Sequence, residues 1–425
     1  MINPTVETLM QEVGTKARAA ARILAKTSST VKNRALEAIA KGLVDKQAEI
    51  LLANAKDVAL AQEKGLAPAF VDRLTVTPKI LAAMAQGARD IAALPDPIGE
   101  ITEVRVRPNG MKIGRMRSPL GVLGMIYEAR PNVTIDAAAL AVKSGNAAVL
   151  RGGSEAFETN RILGQIVTDA LEVAGIDPNA VQMAPTADRD FVGAMIRAKG
   201  LIDVIIPRGG KSLIARLEKE SQIPMIHHLD GICHTYIDDD ADLDMAVSIS
   251  DNAKTQRFSP CNAMENLLVH QSVAKEFLPR IAQIYAHKNV EMRCDKRAYD
   301  ILTADGFKVK HATPQDWDSE YNAPIISIAV VADIDEALDF IAKHSSSHTD
   351  AIVTNDIAKA DRFMREVDSG SVMVNCSTRL ADGFEYGLGA EIGISTGKLH
   401  ARGPVGLEGL TNLKYVVFGS GQLRQ

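Results

Sequence analysis

Cysteines are few in this sequence, and long apolar runs are missing. The four cysteines are Cys233, Cys261, Cys294 and Cys376, and no two of them form a CxxC pair. Scattered cysteines predict neither a zinc site nor a disulfide framework, so we expect no bound metal and a reducing compartment. No apolar run is long enough to span a bilayer, and the amino terminus has no apolar signal core behind basic residues. We therefore expect a cytoplasmic protein.

The chain also has no large net charge of either sign. The formal net charge is -5, which gives no general attraction for nucleic acid or for an anionic membrane surface. We therefore expect neither partner, and any anion-binding site must be local. With 425 residues, 46% of them hydrophobic, the chain is long enough for two or three globular domains with a large core.

Two nucleotide-binding motifs are incomplete. Gly210-Lys211-Ser212 resembles the end of a phosphate loop, but that motif needs a glycine where Ile205 stands. Gly387-Leu388-Gly389 begins like a dinucleotide fingerprint, but Ile392 occupies the position of the third glycine. These gaps exclude a nucleoside triphosphatase of the phosphate-loop type and a nucleotide site of the GxGxxG type.

Helical and strand patterns alternate along most of the chain. Residues 5–94 have apolar side chains at helical spacing. After Gly121, apolar runs at 122–127, 147–150, 181–183 and 203–206 alternate with helical segments, and a second series has runs at 267–270, 307–310, 325–331, 351–354 and 372–375. Such alternation predicts an α/β protein with two domains, each a parallel sheet covered by helices on both faces.

A ribbon is predicted between the helical opening and the first sheet. Residues 104–107 and 111–117 alternate apolar with basic side chains around Asn109-Gly110, a dipeptide that favours a type I′ hairpin turn. The apolar run at 415–418 can join it as a further strand. Because an isolated hairpin is marginal in water, we expect this ribbon, assigned to residues 103–118 and 406–425, to pack on another subunit of a homo-oligomer.

Two strand ends carry glycines and a basic residue just ahead of a predicted helix. They are Arg151-Gly152-Gly153-Ser154-Glu155 and Pro207-Arg208-Gly209-Gly210-Lys211-Ser212. Free backbone amides and the helix dipole favour an anion at such points, and ligands of open parallel sheets lie at the carboxyl ends of the strands. The loops are candidate nucleotide-binding loops, although paired glycines also suit a simple turn before a helix.

The segment 252–265 carries the candidate nucleophile. Cys261 follows Pro260, where a helix cannot easily continue, and Lys254 and Arg257 lie a few residues upstream. Positive charge favours the thiolate, which is the reactive form, and a proline turn can present the sulfur to a ligand. The alternative is a small buried side chain, since free cysteine is among the most buried residue types, with both cations on a solvated face.

The chain resembles the aldehyde dehydrogenase superfamily over nearly its whole length, and within it the glutamate-5-semialdehyde dehydrogenase family. Residues 252–265 are similar to the nucleophile segment, with Cys261 at the catalytic cysteine, and residues 336–352 resemble the signature of that family. Ala129-Arg130-Pro131-Asn132 is similar to the loop whose asparagine amide helps to hold an oxyanion.

Two further segments are similar to cofactor-binding parts of the superfamily. Ser154-Glu155 stands where a serine and a glutamate follow a cofactor-contacting lysine, and Arg151 takes the place of that lysine. Glu320-Tyr321-Asn322-Ala323-Pro324 resembles the segment whose glutamate holds the nicotinamide ribose. The resemblance implies a Rossmann-type NADP-binding domain over residues 1–102 and 119–233, a second α/β catalytic domain over 234–405, and the ribbon as the oligomerisation element.

The activity that the resemblance implies is NADPH-dependent reduction of glutamyl 5-phosphate to glutamate 5-semialdehyde, through a thioester on Cys261, in proline biosynthesis. Glutamate 5-kinase, which would supply this substrate, is a candidate transient partner. The implied catalytic residues are Cys261 and Asn132. The candidate substrate contacts are Lys254, Arg257, Asn262 and Arg379. The candidate cofactor contacts are Arg151, Ser154, Glu155, Pro207, Arg208, Gly209, Gly210, Lys211, Glu320 and Pro324.

The sequence departs from the superfamily at two places. His227 or His228 stands opposite the glutamate with which hydrolytic members activate water, and Phe258 and Ser259 stand where close relatives have proline and a small residue. Two alternatives stay open. One is a cysteine hydrolase that pairs Cys261 with one of the histidines, and the other is a non-catalytic scaffold in which Cys261 is structural. The two nucleotide-type loops count against the hydrolase.

Overall fold

The computed structural model describes residues 4–424, and these form two compact units. Unit 1 holds residues 4–227, 387–393 and 405–424, and unit 2 holds residues 228–386 and 394–404. The predicted domains extend to residues 1–3 and 425, which lie outside the described residues. Within residues 4–424, no helix is long and apolar enough to cross a membrane.

Unit 1 begins with a run of helices, as the apolar spacing of residues 5–94 predicts. Each buries an apolar stripe; Leu36, Ile39 and Leu43 of the second helix are fully buried. The fifth starts where Thr77 caps it, because the Thr77 hydroxyl accepts a hydrogen bond from the Ile80 amide. The helices are α1 (Pro4–Leu24), α2 (Ser29–Asp45), α3 (Gln47–Glu63), α4 (Pro68–Leu74) and α5 (Pro78–Ala93).

A four-stranded parallel sheet lies at the centre of unit 1. Its strands are β3 (Val122–Tyr127), β4 (Ala147–Arg151), β5 (Val181–Met183) and β6 (Val204–Arg208), in the order β5-β4-β3-β6. The helices between and after them are α6 (Asn132–Lys143), α7 (Phe157–Ala174), α8 (Asp190–Met195) and α9 (Lys211–Glu220). All four strands were predicted within two residues, because apolar residues predominate in each.

The ribbon is a three-stranded antiparallel sheet. Its strands are β1 (Ile101–Val106), β2 (Lys112–Pro119) and β16 (Thr411–Phe418), in the order β1-β2-β16. The late strand therefore joins the hairpin, as predicted. The predicted type I′ turn is wrong, because it needs positive φ at both central residues. Gly110 has φ +87°, but Asn109 does not have positive φ, and the turn closes one residue further out, where the Arg107 amide donates to the Met111 carbonyl at 2.7 Å.

Unit 2 contains a seven-stranded parallel sheet in the order β10-β9-β11-β8-β7-β12-β13. The strands are β7 (Cys233–Ile237), β8 (Met264–His270), β9 (Glu291–Cys294), β10 (Lys310–His311), β11 (Ile325–Val331), β12 (Thr349–Val353) and β13 (Ser371–Val374). The helices are α10 (Leu243–Thr255), α11 (Gln271–His287), α12 (Lys296–Ala304), α13 (Pro314–Trp317), α14 (Ile334–His344) and α15 (Ile357–Glu366). The remaining strands, β14 (Gly393–Ser395) and β15 (Gly403–Val405), pair with each other.

Helices cover both faces of this sheet, which confirms the predicted α/β layering. Residues of α10, α11 and α12 form one apolar cluster with the strands, and residues of α14 and α15 form another. Two strands were missed. β7 contains His234 and Thr235, and β9 contains Glu291 and Arg293, so neither is an apolar run, although both lie inside the sheet. The run predicted at 307–310 is wrong, since β10 covers only residues 310 and 311.

Candidate active site

Cys261 lies in the loop between α10 and β8 of unit 2, packed against Gly231. A Cβ atom placed at position 231 would lie 2.0 Å from the Cys261 carbonyl oxygen, so only glycine fits there. The Cys233 thiol donates to the same carbonyl oxygen at 3.2 Å. The segment that leads into β7 therefore fixes the backbone that carries Cys261.

Two histidines lie at the same edge of the unit 2 sheet as Cys261. His228 precedes β7, Cys261 precedes β8 and His348 directly precedes β12, and these strands are neighbours in the order β8-β7-β12. Because the strands are parallel, their amino ends share one edge of the sheet. The potential ligand atoms of the three side chains lie within 4.8 Å of one another, and the two imidazole rings meet edge to face with centroids 5.1 Å apart.

The two adjacent histidines of the sequence have different surroundings. His228 belongs to unit 2, and its Nδ1 is 2.8 Å from the Ile394 carbonyl oxygen. His227 belongs to unit 1, where its Nε2 is 3.8 Å from a carboxylate oxygen of Glu218. Within unit 2, the histidine of the predicted pair beside Cys261 is therefore His228.

The signature segment 336–352 supports this arrangement. The Ser346 hydroxyl accepts from the Ile232 amide at 2.8 Å, which ties the segment to the chain that packs against Cys261. The Ser345 hydroxyl donates to the buried Asp350 carboxylate at 2.7 Å, and Asp350 also lies 2.8 Å from Nδ1 of His234. His348 is fully buried between these anchors. His348 lies in the signature segment 336–352, but the sequence predicted no role for it.

Two cations and an amide surround the nucleophile loop. Arg257 is exposed, and Arg379 is half-buried with its Nε donating to Gln256 at 3.0 Å. Burial lowers the pKa of the Arg379 guanidinium, the Cys261 thiolate opposes this change, and Arg257 adds to it, so the three charges are close. The buried Asn262 amide donates to the Ala381 carbonyl at 3.0 Å, which ties the loop of Arg379 to that of Cys261.

The prediction that Lys254 contacts the substrate needs correction. Lys254 is fully buried, and its ammonium lies 2.5 Å from a carboxylate oxygen of Glu265, which is also buried. Burial lowers the pKa of Lys254 and raises that of Glu265, and the attraction between the two groups opposes both changes. Lys254 therefore joins α10 to β8 as half of a buried ion pair, because a charge enclosed in this way must keep its partner.

Glu320 and Pro324 also lie in unit 2. Burial raises the pKa of the Glu320 carboxyl, while hydrogen bonds from the Asn322 side chain and the Gly231 amide act in the opposite direction. Glu320 thus adjoins the glycine on which the Cys261 backbone rests. Pro324 is exposed, and its carbonyl accepts from the Glu291 amide at 2.8 Å.

Unit 1 has a cavity of about 300 Å³ at the carboxyl ends of β4 and β5, beside the start of α7. Gly152 and Gly153 line it, together with Asn160, Arg161 and Thr186. A Cβ atom at position 152 would lie 2.2 Å from the Asn160 amide nitrogen, so the glycine keeps this wall close-packed. A half-open cleft with glycine backbone and a cation at strand ends suits part of a nucleotide.

Arg151 supports the wall of this cavity. Its guanidinium donates to the Gly152 carbonyl at 2.7 Å and to the Ala187 carbonyl at 2.8 Å, and burial lowers its pKa. These bonds hold the end of β4 against the loop after β5. They engage the guanidinium that the sequence analysis counts among the candidate cofactor contacts. Ser154 is exposed and Glu155 half-buried in the short 3-10 turn that follows.

The second glycine loop holds a protein carboxylate. The Gly210 amide, which the sequence predicted to bind an anion, donates to the Glu128 carboxylate at 2.9 Å. Gly209 lies against the same side chain, since a Cβ atom there would be 2.9 Å from the Glu128 carboxyl carbon. Pro207 is buried, and Lys211, which begins α9, is exposed. An anion of the cofactor would have to displace Glu128 from this amide.

Asn132 is the exposed first residue of α6 in unit 1. Its amide donates to the Asp136 carboxylate, one turn further along the helix, at 3.0 Å. Burial raises the pKa of Asp136 to about 6, and the hydrogen bond from Asn132 and the charge of Arg208 oppose this shift. Asp136 therefore orients the amide that sequence reasoning assigned to the oxyanion.

The chain belongs to the aldehyde dehydrogenase family, whose family model matches residues 6–300 and 310–416. Members of this family use NAD or NADP. The chain is similar to two solved structures of gamma-glutamyl phosphate reductases. The one from Thermotoga maritima is 41% identical, with 98% of this chain and 100% of that chain covered and a TM-score of 0.95. The one from Saccharomyces cerevisiae is 32% identical, with both chains covered completely and a TM-score of 0.55.

A more distant structure shares the fold. Glyceraldehyde-3-phosphate dehydrogenase from Methanocaldococcus jannaschii, solved in complex with NADP, is 18% identical, with 97% of this chain and 95% of that chain covered and a TM-score of 0.64. At this identity the likeness shows the fold alone.

Proposed function

We propose that this chain is a gamma-glutamyl phosphate reductase, which reduces L-glutamyl 5-phosphate to L-glutamate 5-semialdehyde with release of phosphate, the second step of proline biosynthesis from glutamate. The observation that carries the proposal is the 41% identity over 98% of the chain to the reductase from Thermotoga maritima. Cys261, the candidate nucleophile, is held against Gly231 in a loop with Arg257 and Arg379 close by.

In this proposal the Cys261 thiolate attacks the acyl carbon, and phosphate leaves to give a thioester. The chemistry that NADPH would supply when bound is a hydride for the thioester carbon. The resulting oxyanion collapses to the aldehyde and releases the Cys261 thiolate. The Cys261 backbone amide and the Asn132 side chain hold the oxyanion in both steps, and losing one such donor costs about a hundredfold to a thousandfold in rate.

The substrate is an anion at both ends, and unit 2 offers two cations for it. Arg379 lies close enough to interact with both Arg257 and Cys261. Guanidinium groups bind phosphate and carboxylate oxygens in pairs. We assign them to the acyl phosphate and the α-carboxylate of the substrate, and Asn262 to joining the loop of Arg379 to the loop of Arg257 and Cys261.

We propose NADPH as the cofactor. The unit 1 cavity accepts part of the nucleotide, with Gly152 and Gly153 in its wall and Ser154 and Glu155 beside it. Arg151 holds that wall, while Arg208 and Lys211 supply positive charge at the neighbouring strand end. Glu320 of unit 2 is assigned to the nicotinamide ribose. A homo-oligomer that packs through the ribbon, a cytoplasmic location and a transient complex with glutamate 5-kinase remain parts of the proposal.

The test is the loss of nicotinamide absorbance when the purified chain meets NADPH and glutamyl 5-phosphate, generated in the same vessel by a glutamate kinase because acyl phosphates hydrolyse readily. We expect absorbance loss that requires both compounds and is faster with NADPH than with NADH. Semialdehyde is trapped as a second readout. Consumption of the acyl phosphate without any loss of absorbance would reject the proposal.

A cysteine hydrolase is the alternative that the geometry of unit 2 also permits, because His228 and His348 lie beside Cys261. The same experiment separates the two functions. A hydrolase would release glutamate and phosphate faster than the spontaneous rate, and equally fast with and without NADPH. A scaffold without activity would leave the spontaneous rate unchanged and would consume no NADPH.

A further inference from the structure

The geometry around Cys261 points to a binding site for a zinc-like divalent cation, formed by Cys261, His228 and His348. A thiolate and two imidazoles are a ligand set that Zn²⁺ prefers. Their potential ligand atoms lie within 4.8 Å of one another, and tetrahedral zinc sites place such atoms about 3.5 Å apart, so small side-chain rotations close the site.

His348 gives an independent sign of a ligand. Its side chain is fully buried, and among the described residues its Nε2 has no hydrogen-bond partner. The other ring nitrogen, Nδ1, lies 2.9 Å from the Thr349 hydroxyl and 3.8 Å from the Cys233 sulfur. A buried nitrogen without a partner costs free energy, and a metal ion would remove that cost.

His228 has the outer contact that metal-binding histidines show. Its Nδ1 lies 2.8 Å from the Ile394 carbonyl oxygen, which can only accept, so Nδ1 carries the proton. In this tautomer Nε2 is the nitrogen that can coordinate an ion, and a carbonyl behind a ligating imidazole is a usual arrangement at zinc sites. The half-buried Glu320 carboxylate lies near His228 and adds negative charge close to the site.

Because the site includes the nucleophile, an ion bound there would affect catalysis. A cation on Cys261 would release the thiol proton and occupy the sulfur that attacks the substrate. Zinc would therefore inhibit the reductase reversibly, with one ion bound per chain, and a fourth position would remain for water. This inhibition rests on the proposed function, whereas the binding itself does not.

The test titrates the full-length chain with Co²⁺, a spectroscopic substitute for Zn²⁺, without substrate or NADPH. We expect one equivalent to produce the near-ultraviolet band of a cobalt thiolate, and Zn²⁺ to displace it. Cys261→Ser should abolish the band. His348→Gln and His228→Gln should each weaken binding by about tenfold or more. The control His287→Gln, at an exposed position, should bind like the unaltered chain.

Two results would overturn the site. One is the absence of a cobalt band in the folded, reduced chain, and the other is unchanged affinity in His228→Gln, which would mean that a lone thiol binds the ion. His228 is only half-buried, so its variant keeps the test informative if His348→Gln fails to fold. A separate assay expects zinc to stop NADPH oxidation and a chelator to restore it. A chain that shows the cobalt band but has no reductase activity would reject the proposed function and leave the site intact.

Discussion

Cys261 differs from the other three cysteines in its surroundings. Burial raises the pKa of Cys233 and Cys376, and it raises that of Cys294 to about 12, so these thiols stay protonated. Cys261 is half-exposed and in electrostatic contact with Arg379, which also interacts with Arg257. An accessible sulfur among cations is the setting in which a thiolate reacts.

Cys261→Ser should lower the reductase rate by roughly a thousandfold or more while leaving NADPH binding within a few-fold, because a hydroxyl is a far weaker nucleophile at neutral pH. Steady-state absorbance and fluorescence titration with NADPH measure the two effects. Cys376→Ser, which changes another half-buried thiol of unit 2, is the matched control and should keep its rate. Appreciable turnover by Cys261→Ser would remove Cys261 from the chemistry.

Arg379→Gln should raise KM for the acyl phosphate by about tenfold to a hundredfold, because a hydrogen bond from a charged group is worth about 1.5 to 3 kcal/mol. The Asn262 amide donates hydrogen bonds to the backbone carbonyls of Arg379 and Ala381, so the loop should keep its conformation in the variant. Arg297→Gln, on the exposed face of α12, is the control. If both variants gave the same KM, Arg379 would have no part in substrate binding.

At the scale of elements, α10 and β8 are joined by the buried pair of Lys254 and Glu265. Lys254→Met should lower the free energy of unfolding by about 3 to 5 kcal/mol, because it leaves the Glu265 charge buried without its partner. The double variant Lys254→Met with Glu265→Leu should regain most of this loss. Urea denaturation measures both changes.

The control for this pair is Lys296→Met, which removes an exposed ion pair with Asp300 and should change the free energy of unfolding by less than about 1 kcal/mol. If Lys254→Met also lowered the free energy of unfolding by less than about 1 kcal/mol, the Lys254 ammonium would not be buried. Lys254 would then again be a candidate substrate contact.

The ribbon is the element that we expect to join subunits. Register places Val417 on one face with Ile113 and Arg105, and the Val417 side chain is 55% exposed. Val104, Val106, Tyr415 and Phe418 of the ribbon are exposed as well. Several exposed apolar side chains on one sheet are a usual sign of a partner. Val417→Lys should lower the molar mass measured by light scattering, whereas Val173→Lys, at a 74% exposed position on α7, should not. A monomeric unaltered chain would contradict the prediction.

For the whole molecule, the fate of the thioester decides the direction of the reaction. Water needs a general base to attack it. We expect that neither His227 nor His228 takes over the role of the glutamate that the resemblance to hydrolytic members implies, although His228 stands beside Cys261 within unit 2. Oxidation of the semialdehyde by NADP should therefore require inorganic phosphate, with arsenate as a substitute. Without either anion the rate should fall by roughly a hundredfold.

The measurement is the initial rate of NADPH formation in a phosphate-free buffer, followed by titration with phosphate. His311→Gln, which alters the exposed histidine of β10, is a control that should keep the phosphate requirement. Full activity without phosphate would mean that water is activated after all, and His228 would then become the candidate base.

Local patterns in the sequence determined most of the fold. The run 325–331 is β11 to the residue, and the late run at 415–418 joins the ribbon as the end of β16. Apolar periodicity and turn residues act over a few positions, so they can be recognised without knowing the fold. The segment around Cys261 was likewise visible as a proline turn with nearby cations, and its resemblance to a family supplied the chemistry.

The tertiary structure alone decided what surrounds those residues. His228, Cys261 and His348 are far apart in the sequence, and they meet because the strands that follow them are neighbours in a parallel sheet. The spacing of residues in the sequence could not reveal that the Gly210 amide donates a hydrogen bond to Glu128, or that Lys254 forms a buried ion pair with Glu265. Contacts of this kind depend on the order of strands and on the layers of helices above them, which the periodicity of any one segment does not contain.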